Sequence, residues 1–517
     1  MHATFSTPDQ AAQWLRTQVR GTLGSDSRAL RAGDGFVATP GAMVDGRNYV
    51  TQALAQGVAA CLVEAQGVEA FSFLNNSRVA AYAGLKSDAG CIADAFLERP
   101  SENLQVLAVT GTNGKTSCAW WLAQALSSLP APLARPCAVI GTLGAGQPPL
   151  PGAPTTPGHT DALVALRSTG MTTPDAVSLQ TALKQFVVQG LQACAIEASS
   201  IGLEEGRLNG LRIRVAVFTN FTQDHLDYHG SMQAYWEAKR RLFSWSGLHS
   251  AVVNIDDEQG AALAVELAAD TPELDVWTTS IRSAARLKAV NITHTAAGLR
   301  FDVVEAEETC SLQSQVIGHY NVSNLLNVVA TLRTLGVDLA TAVRTCEQLR
   351  PVPGRLDCIG GEGAPLVVVD YAHTPDALAQ TLDALRPLAE QRAGQLWCVF
   401  GCGGDRDAAK RPLMGAIAAA KADRTIVTSD NPRSEKPASI VAQILAGMAG
   451  QADAEVQVDR SAAIHSAIER AAPGDVVLLA GKGHEETQEI SGVKTRFSDR
   501  AHALQALAQR KVLEVHA

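Results

Sequence analysis

Residues 111–117, GTNGKTS, have the composition of a turn that binds phosphate. Gly111 and Gly114 allow the backbone to turn tightly, so that its N–H groups point toward a bound anion. Lys115 supplies a cation for the terminal phosphates of a nucleotide, and the Thr116 hydroxyl is suited to bind magnesium. The turn therefore predicts a nucleotide site that uses Mg²⁺.

A strand and a helix are predicted on either side of this turn. Residues 104–109 form an apolar run typical of a buried parallel strand, and Trp120, Trp121 and Leu122 follow the turn at helical spacing. Val109 stands where the first glycine of the longer phosphate-loop pattern would be, so this turn is a shorter variant. The alternative, a chance glycine turn before a helix, does not account for the lysine and the hydroxyl in their places.

Length and composition predict several domains and exclude some classes of partner. The 517 residues are too many for one hydrophobic core, and 46% apolar residues suffice for several cores. A net charge of -9 argues against a protein that coats nucleic acid, because phosphates need a basic surface. No apolar run is long enough to span a bilayer. We therefore expect neither nucleic acid nor a membrane as a partner.

The cysteines and the N-terminal residues point to the cytoplasm. None of the ten cysteines forms a C-x-x-C pair, and several lie in apolar runs, which favours reduced thiols in the core. The N-terminal residues lack a basic segment followed by an apolar one, so we expect no secretion signal. We predict a cytoplasmic protein and, by default, a monomer.

The chain divides into three α/β segments. Residues 1–101 predict a small N-terminal α/β domain that ends near a proline. In residues 102–350 strands alternate with helices, which predicts a central, mostly parallel sheet of phosphate-loop type with helices on both faces. Residues 351–517 restart the pattern and predict a Rossmann-like, doubly wound domain, whose ligands lie beyond the carboxyl ends of the strands. Half of residues 141–160 are Gly or Pro, so we expect an exposed, irregular loop there.

Acidic and imidazole side chains follow two other predicted strands of the central segment. Glu197 could hold magnesium opposite the phosphate turn, although a carboxylate that caps a helix is the alternative. The run DHLDYH at residues 224–229, which contains His225, lacks regular zinc spacing and favours a loop that faces substrate or magnesium. Lys239 lies in an amphipathic helix, where a lysine is usually solvated, and by itself predicts nothing.

Motifs in order along the chain resemble the ATP-dependent Mur ligases of peptidoglycan synthesis. They are GTNGKTS, EASS at 197–200, TQDHLDYHG at 222–230, GHYNVSN at 318–324, PGR at 353–355 and DYAHTP at 370–375. The resemblance covers nearly the whole chain. It implies three domains that bind a UDP-sugar, ATP and an incoming amino acid.

The resemblance also implies roles for individual residues. The implied ATP-binding residues are Gly111, Thr112, Asn113, Gly114, Lys115, Thr116, Ser117, Asn324, Arg355 and Asp370. The implied catalytic residues are Lys115, Glu197, His225 and Lys239, and the implied magnesium ligands are Thr116, Glu197, His225 and a carbamoylated Lys239. The carbamate has a physical reason, because an ammonium repels a metal ion whereas a carbamate offers it an anionic oxygen.

The run Asp430-Asn431-Pro432-Arg433 resembles the signature of the branch that adds meso-diaminopimelate to UDP-MurNAc-L-Ala-D-Glu. Diaminopimelate is lysine with a further carboxylate at its far end, and Arg433 supplies the planar cation that selects such a group. Glu485 is suited to the distal ammonium. The full implied set is Arg406, Asp430, Asn431, Pro432, Arg433, Gly481 and Glu485. A proline turn that carries a surface arginine is the alternative interpretation.

The match to the UDP-sugar site is looser. The implied contacts are Ser25, Ser27, Thr172, Thr173, Ser199, Glu205 and Arg207. Glu205 stands where glutamine is usual, Met171 replaces a frequent asparagine, and residues 42–44 replace a more polar triplet. A carboxylate near an acidic ligand is unfavourable unless it is compensated, so we expect Glu205 to pair with Arg207 or to lie off the ligand.

The implied reaction makes an amide at the expense of ATP. The D-Glu side-chain carboxylate attacks the γ-phosphate to give an acyl phosphate, and the amine then displaces phosphate. The three ligands come from separate domains, so we expect a hinge near residue 350. The alternatives are a lysine-adding or folylpolyglutamate-type ligase of the same fold, and an ATP-gated binding module without ligation.

Overall fold

The computed structural model describes residues 3–41, 44–151, 166–295, 298–361, 363–448 and 454–516. Residues 152–160 of the predicted Gly/Pro-rich loop and two residues of the predicted triplet, Ala42 and Met43, lie outside the described residues. The prediction of a wholly irregular loop is wrong at its start. Residues Gly144–Gly146 form a strand, because the left-handed backbone of Gly144 (φ 124°) closes a tight antiparallel turn onto residues 137–141.

The N-terminal segment contains a parallel sheet of five strands with three helices. The strands are β1 (Ala3–Phe5), β2 (Leu23–Gly24), β3 (Gly35–Ala38), β4 (Ala60–Glu64) and β5 (Val79–Tyr82). The helices are α1 (Pro8–Gln18), α2 (Val50–Ala55) and α3 (Leu85–Phe96). The strand order is β1-β5-β4-β3-β2, so β2 lies at one edge of the sheet.

The central segment contains a sheet of ten strands with helices on both faces. The strands are β6 (Gln105–Thr110), β7 (Cys137–Gly141), β8 (Gly144–Gly146), β9 (Ala193–Glu197), β10 (Ile213–Phe218), β11 (Ser250–Asn254), β12 (Asp275–Ser280), β13 (Leu287–Thr295), β14 (Gly298–Glu305) and β15 (Glu308–Ser314). Their order is β15-β14-β13-β12-β11-β10-β6-β9-β7-β8. The helices are α4 (Lys115–Ser128), α5 (Ala176–Val188), α6 (Ser200–Glu204), α7 (Leu226–His229), α8 (Met232–Arg240), α9 (Glu258–Asp270), α10 (Tyr320–Thr334) and α11 (Leu339–Glu347).

Strand β6 shows how this sheet is buried on both faces. Leu107 and Val109 pack into a core that also contains the buried residues of α4 and α10. Val106 and Ala108 point the other way and pack with α5 and α9. Such two-sided burial explains the continuous apolar run in the sequence, since neither face of the strand meets water.

The expected alternation of strands and helices stops before the end of the central segment. Strands β13, β14 and β15 pair antiparallel with one another and are joined directly, without an intervening helix. Short connections can join only antiparallel neighbours, and residues 306–307 between β14 and β15 are one such connection. The sheet is therefore parallel from β7 to β13 and antiparallel at both edges.

The C-terminal segment contains a sheet of six strands and a separate hairpin. The sheet strands are β16 (Asp357–Gly360), β17 (Leu366–Asp370), β18 (Leu396–Phe400), β19 (Arg424–Val427), β20 (Ala454–Val456) and β21 (Val476–Ala480), in the order β16-β17-β21-β18-β19-β20. The hairpin strands are β22 (Thr487–Ile490) and β23 (Val493–Arg496). The helices are α12 (Pro375–Gln391), α13 (Lys410–Lys421), α14 (Pro437–Ala446), α15 (Arg460–Arg470) and α16 (Asp499–His516).

These three sheets confirm the predicted α/β fold class. The limits of the domains at residues 101 and 350 stay a prediction. In the C-terminal sheet β16 alone runs antiparallel to its neighbour, and the other strands are parallel. The carboxyl ends of β17, β18, β19 and β21 therefore lie at one edge of the sheet. Across the described residues, no helix is long and apolar enough to cross a membrane.

Candidate active site

The phosphate turn connects β6 to α4, as predicted. Gly111 and Gly114 have φ values of 141° and 85°, which residues other than glycine rarely adopt. A Cβ at Gly114 would collide with the Asn324 side chain. The Lys115 ammonium folds back over the turn and donates to the carbonyls of Gly111 and Thr112, at 2.8 Å each. The turn therefore presents its own lysine at the place where phosphates bind in such loops.

Glu197 lies beside the hydroxyl of the phosphate turn. Thr116 donates to Glu197 Oε2 at 3.0 Å, and the backbone N–H of Thr142 donates to Oε1 at 2.8 Å. Both Thr116 and Glu197 are buried. The alternative role for Glu197, a helix cap, belongs instead to Ser199, whose hydroxyl accepts from the Gly202 N–H at the start of α6. A hydroxyl and a carboxylate in contact are a fitting pair of hard oxygen ligands for Mg²⁺.

Lys239 is buried under the same turn, with only 1% of its surface exposed. Its Nζ donates to the Gly111 carbonyl at 2.7 Å and lies 4.4 Å from the centre of the Tyr235 ring. Burial, together with the nearby charge of Lys115, holds the pKa of Lys239 well below its usual range. A lysine on an amphipathic helix is usually solvated, but this helix turns Lys239 toward the phosphate turn.

His225 lies at the start of α7 in a left-handed conformation, with φ 53°. Desolvation and the positive charge of Lys115 lower the pKa of His225 to about 4, so the imidazole is neutral at pH 7. Its Nε2 lies 3.5 Å from Asp224 Oδ2. In the described part of the chain, no group of three or more His, Cys, Asp or Glu side chains is arranged to hold a metal ion.

A cavity of about 560 Å³ lies next to the phosphate turn, between the central and C-terminal segments. Residues from the predicted ATP-binding set line it: Asn113, Gly114, Ser117, Asn324, Arg355 and Asp370. Asn113 Nδ2 also donates to Asp376 Oδ2 of α12 at 3.1 Å, so the turn contacts the C-terminal segment directly. The structure thus brings together side chains that are far apart in the sequence.

Arg355 and Asp370 behave differently in this cavity. Arg355 donates to the Thr116 hydroxyl at 3.1 Å, and its buried Nε has no hydrogen-bond partner among the described residues. Such an orphaned donor suits an anionic ligand. The Asp370 carboxylate instead accepts from the backbone N–H groups of Leu356 and Ala372, at 2.7 and 2.8 Å. Asp370 therefore holds the segment that carries Arg355 in place.

Two imidazoles on the wall of this cavity were missed by the sequence reasoning. His294 and His319 have ring centres 6.4 Å apart, and both line the cavity with Arg282 and Tyr320. His319 lies within the GHYN motif, which was the available signal. His294 lies in β13 among polar residues without a recognisable motif.

A second cavity, of about 550 Å³, contains most of the predicted amino-acid site. Its lining includes Arg406, Asp430, Asn431, Arg433, Gly481 and Glu485, which follow the carboxyl ends of β18, β19 and β21. Pro432 of the predicted set is not among the described lining residues, and its carbonyl accepts from the Glu435 N–H at 3.0 Å within the turn. Thr172, Thr173, Ser199 and Arg207 of the predicted UDP-sugar set line the same cavity. The residues predicted for two different substrates thus face one space.

Glu485 shares its carboxylate with a lysine that the sequence reasoning missed. Lys482 is fully buried, and its ammonium donates to Glu485 Oε2 at 2.8 Å and to Asn431 Oδ1 at 3.2 Å. Asn431 Nδ2 donates to the same Glu485 oxygen at 2.8 Å. Because both contacts to the Glu485 carboxylate involve Oε2, Oε1 remains for a further donor. The lysine stands in the run GKGHE at residues 481–485, between Gly481 and Glu485 of the predicted set.

Several residues of the predicted UDP-sugar set support one another. The Thr173 hydroxyl donates to the Glu197 carbonyl at 2.6 Å and accepts from the Ser199 N–H at 3.0 Å. Thr173 therefore braces the strand end that carries Glu197. Arg207 donates to Glu205 Oε2 from Nε and Nη2, at 2.8 and 2.6 Å, which confirms the expected pairing of these two residues.

Replacement of Glu205 with glutamine is expected to change little. The pair with Arg207 is partly exposed, and such pairs contribute about 0–1 kcal/mol. Arg207 also donates to the Thr173 carbonyl at 2.7 Å, so it retains a partner in the variant. We expect the KM for the UDP-sugar substrate to shift by less than about fivefold. Steady-state kinetics check this, and a larger loss would show that Glu205 itself contacts the ligand.

Ser25 and Ser27 are placed apart from both cavities. They follow β2 at the edge of the N-terminal sheet, and among the described lining residues neither cavity includes them. The edge strand instead contacts α5, where the Thr181 hydroxyl donates to the Leu23 carbonyl at 3.3 Å. Their predicted role stays a prediction.

Tyr371 and His373 line both cavities and form a wall between them. The Arg355 guanidinium lies 4.7 Å from the centre of the Tyr371 ring, and His373 Nδ1 lies 2.9 Å from the Tyr371 carbonyl oxygen. Burial lowers the pKa of His373 below its usual value, so that its ring is uncharged at neutral pH. The phosphate side and the amino-acid side of the molecule therefore meet at this pair.

Comparison with known proteins agrees with this geometry. Three family models match the chain: the Mur ligase middle domain over residues 109–332, the Mur ligase glutamate ligase domain over 354–483, and the Mur ligase family catalytic domain over 21–86. A UDP-N-acetylmuramoyl-L-alanyl-D-glutamate--2,6-diaminopimelate ligase of Acidovorax sp. (strain JS42) is 57% identical over 510 residues, with 98% of each chain covered.

Solved structures give the same result. One structure of a UDP-N-acetylmuramoyl-L-alanyl-D-glutamate--2,6-diaminopimelate ligase has a TM-score of 0.62 at 35% identity, with 95% of each chain covered. The MurF ligase from Thermotoga maritima in complex with ADP has a TM-score of 0.65 at 17% identity, covering 97% of this chain and 99% of that one, which is a likeness of fold alone. With three family models and more than half of its residues shared with a curated member, the chain belongs to the Mur ligase family.

Proposed function

We propose that this protein is an ATP-dependent ligase that adds meso-diaminopimelate to UDP-MurNAc-L-Ala-D-Glu. The observation that carries the proposal is the pair of cavities of about 560 and 550 Å³ with a shared wall. One lies beside the phosphate turn, and the other contains Arg433. The names of the relatives at 57% and 35% identity support the same substrate pair.

ATP is proposed to bind in the cavity beside the phosphate turn. The left-handed glycines, the ammonium of Lys115 and the unpartnered Nε of Arg355 suit the phosphates. A solved relative of the same fold is described as a complex with ADP. We propose that Mg²⁺ is held by Thr116 and Glu197, where it would supply positive charge to the phosphates.

Lys239 is proposed to carry a carbamate. A neutral amine attacks carbon dioxide, whereas an ammonium does not, and burial favours the neutral form of this side chain. In the step a C–N bond forms to the carbon of carbon dioxide, one C=O π bond opens to leave an anionic oxygen, and the nitrogen releases one proton to water. The product is an anion among the cations Lys115 and, when bound, Mg²⁺. Carbamoylation thereby converts a repulsive group into an oxygen ligand beside the phosphate turn.

The proposed reaction proceeds in two steps. The D-Glu carboxylate forms a bond to the γ-phosphorus, and the bond from that phosphorus to ADP breaks. The diaminopimelate amine then forms a bond to the acyl carbon, and phosphate leaves with the C–O bond electrons and takes up the proton that the nitrogen loses. Lys115 and Arg355 offset the repulsion between the two anionic reactants. Tyr371 and His373 stand where the acyl phosphate meets the amine.

Release of phosphate tests this function. Purified protein is mixed with ATP and Mg²⁺, and phosphate is followed as UDP-MurNAc-L-Ala-D-Glu and meso-diaminopimelate are added singly and together. We expect sustained release only with both, because the amine is needed to discharge the acyl phosphate. Release with ATP alone would favour a non-ligating NTPase. Release with a folate and glutamate would favour the folylpolyglutamate alternative.

We also propose that the ligase acts as a monomer in the cytoplasm. Light scattering of the active protein checks this, and activity that appears only in a dimer fraction would contradict it.

A further inference from the structure

The hairpin of β22 and β23 is attached to the turn that carries Arg433. It lies outside the six-stranded sheet and forms a two-stranded sheet by itself. An isolated hairpin of this size is marginally stable in water, so its conformation depends on what it contacts. One strand, β23, is exposed at every position, which leaves β22 to make the contacts.

Four hydrogen bonds join β22 and its end to the turn at residues 430–433. The buried side chain of Gln488 donates from Nε2 to the Asp430 carbonyl at 2.7 Å, and the Glu489 N–H donates to Asn431 Oδ1 at 3.1 Å. The Arg433 N–H donates to the Glu489 carbonyl at 3.0 Å, and the Ser491 N–H donates to the Arg433 carbonyl at 2.7 Å. The hairpin thus holds nearly every residue of this turn.

Arg433 needs such support because its backbone is strained. Its φ of 52° lies in the left-handed region, which is unfavourable for a long side chain unless the surroundings fix it. The same residue forms a parallel bridge to Ile490 at the end of β22. Its guanidinium donates from Nη1 to the Gly404 carbonyl at 2.7 Å. Loss of the hairpin contacts, which are to the Arg433 backbone, would release the backbone angle from which this side chain extends.

We propose that the hairpin at residues 487–496, acting through Gln488, positions the 430–433 turn and thereby sets the selectivity for the incoming amino acid. Gln488 is a positioning residue, because it acts through Asp430 and Arg433 rather than on the substrate. The inference rests on the proposed reading of the distal carboxylate by Arg433. Recognition of the distal carboxylate by Arg433 then also requires the hairpin, which lies outside the predicted signature at residues 430–433.

The test compares Gln488→Met and Gln488→Glu with the wild type. Methionine keeps the length of the side chain, glutamate keeps its shape, and both lose the donor to Asp430. We expect the KM for meso-diaminopimelate to rise about tenfold, since one buried hydrogen bond is lost. The KM for ATP and the kcat at saturation stay within about twofold, and the preference for diaminopimelate over L-lysine falls. A merely structural defect would instead lower kcat or the active fraction.

Gln124→Met is the matched control. Gln124 is also buried, and its Nε2 donates to the Pro149 carbonyl at 2.8 Å, which is the same type of bond in the central segment. We therefore expect the Gln124→Met variant to lose a similar amount of stability as the Gln488 variants. Its KM for diaminopimelate should stay at the wild-type value. An equal rise in that KM for Gln124→Met would overturn the positioning role.

A parallel Arg433→Ala variant separates the two proposals. If Arg433→Ala loses selectivity while both folded Gln488 variants keep the wild-type KM, the hairpin inference fails and the role of Arg433 stands. If Arg433→Ala keeps selectivity, both fail.

Hydrogen–deuterium exchange of the wild type needs no variant: diaminopimelate is expected to slow exchange in 487–496 together with 430–433. Protection confined to 430–433 would overturn the inference.

Discussion

Replacement of Arg433 with alanine is expected to weaken diaminopimelate recognition by about 2–5 kcal/mol, the usual loss when one partner of a buried, charged hydrogen-bonded pair is removed. The guanidinium lies on the wall of the amino-acid cavity, and it is the planar cation that matches the distal carboxylate. The KM for ATP should not change, because the nucleotide binds in the other cavity. Steady-state kinetics with each substrate varied in turn measure both effects.

Two control variants sharpen this prediction. Arg433→Lys keeps the charge but loses the paired planar donors, so we expect an intermediate loss. Arg496→Ala removes an exposed arginine from the neighbouring hairpin and should leave the KM for diaminopimelate unchanged. An unaltered KM in Arg433→Ala would refute the assignment of this residue to the distal carboxylate.

Replacement of Lys239 with alanine is expected to remove most of the activity while the fold is kept. The side chain lies under the phosphate turn, and the proposed carbamate supplies a negative oxygen there. Loss of one preorganised electrostatic group at a reacting centre costs about 10²–10³-fold in kcat. The vacated space is expected to admit short carboxylic acids such as acetate, which would restore part of the activity. Kinetics with and without added carboxylic acid measure this.

Bicarbonate provides an independent check on Lys239. Wild-type activity should fall when carbon dioxide and bicarbonate are removed, and it should return when they are added back. Lys184→Ala is the matched control, since Lys184 forms an exposed pair with Glu98 at the surface. Full activity in Lys239→Ala would contradict the proposed carbamate. An equal effect of acetate on the activities of Lys239→Ala and Lys184→Ala would also contradict it.

Much of the fold could be predicted because its signals are local. The apolar run before Gly111 and the helical spacing after it required a buried strand and a helix, and the structure has β6 and α4 there. The antiparallel strands β13–β15 could not be derived in the same way. Apolar residues alternate with polar ones there, as Leu299, Phe301 and Val303 do in β14, which predicts a half-buried strand but not its partner in the sheet.

Only part of the candidate site could be predicted from the sequence. Residues in motifs, such as Thr116 and Glu197, come together as expected. Lys482 and Gln488 act through contacts with residues about 50 positions away, and no spacing rule connects such positions. The burial of Lys239 was equally hidden, because an amphipathic helix does not reveal which of its polar residues faces a neighbouring loop.

The most direct test of the proposed function is a panel of amino acids, each incubated with UDP-MurNAc-L-Ala-D-Glu, ATP and Mg²⁺, with the product identified by mass spectrometry. We expect a UDP-MurNAc-tripeptide with meso-diaminopimelate, and little or none with L-lysine, ornithine or glutamate. Equal coupling of L-lysine would contradict selection of a second carboxylate by Arg433. Consumption of ATP without any tripeptide would contradict the ligase reaction itself.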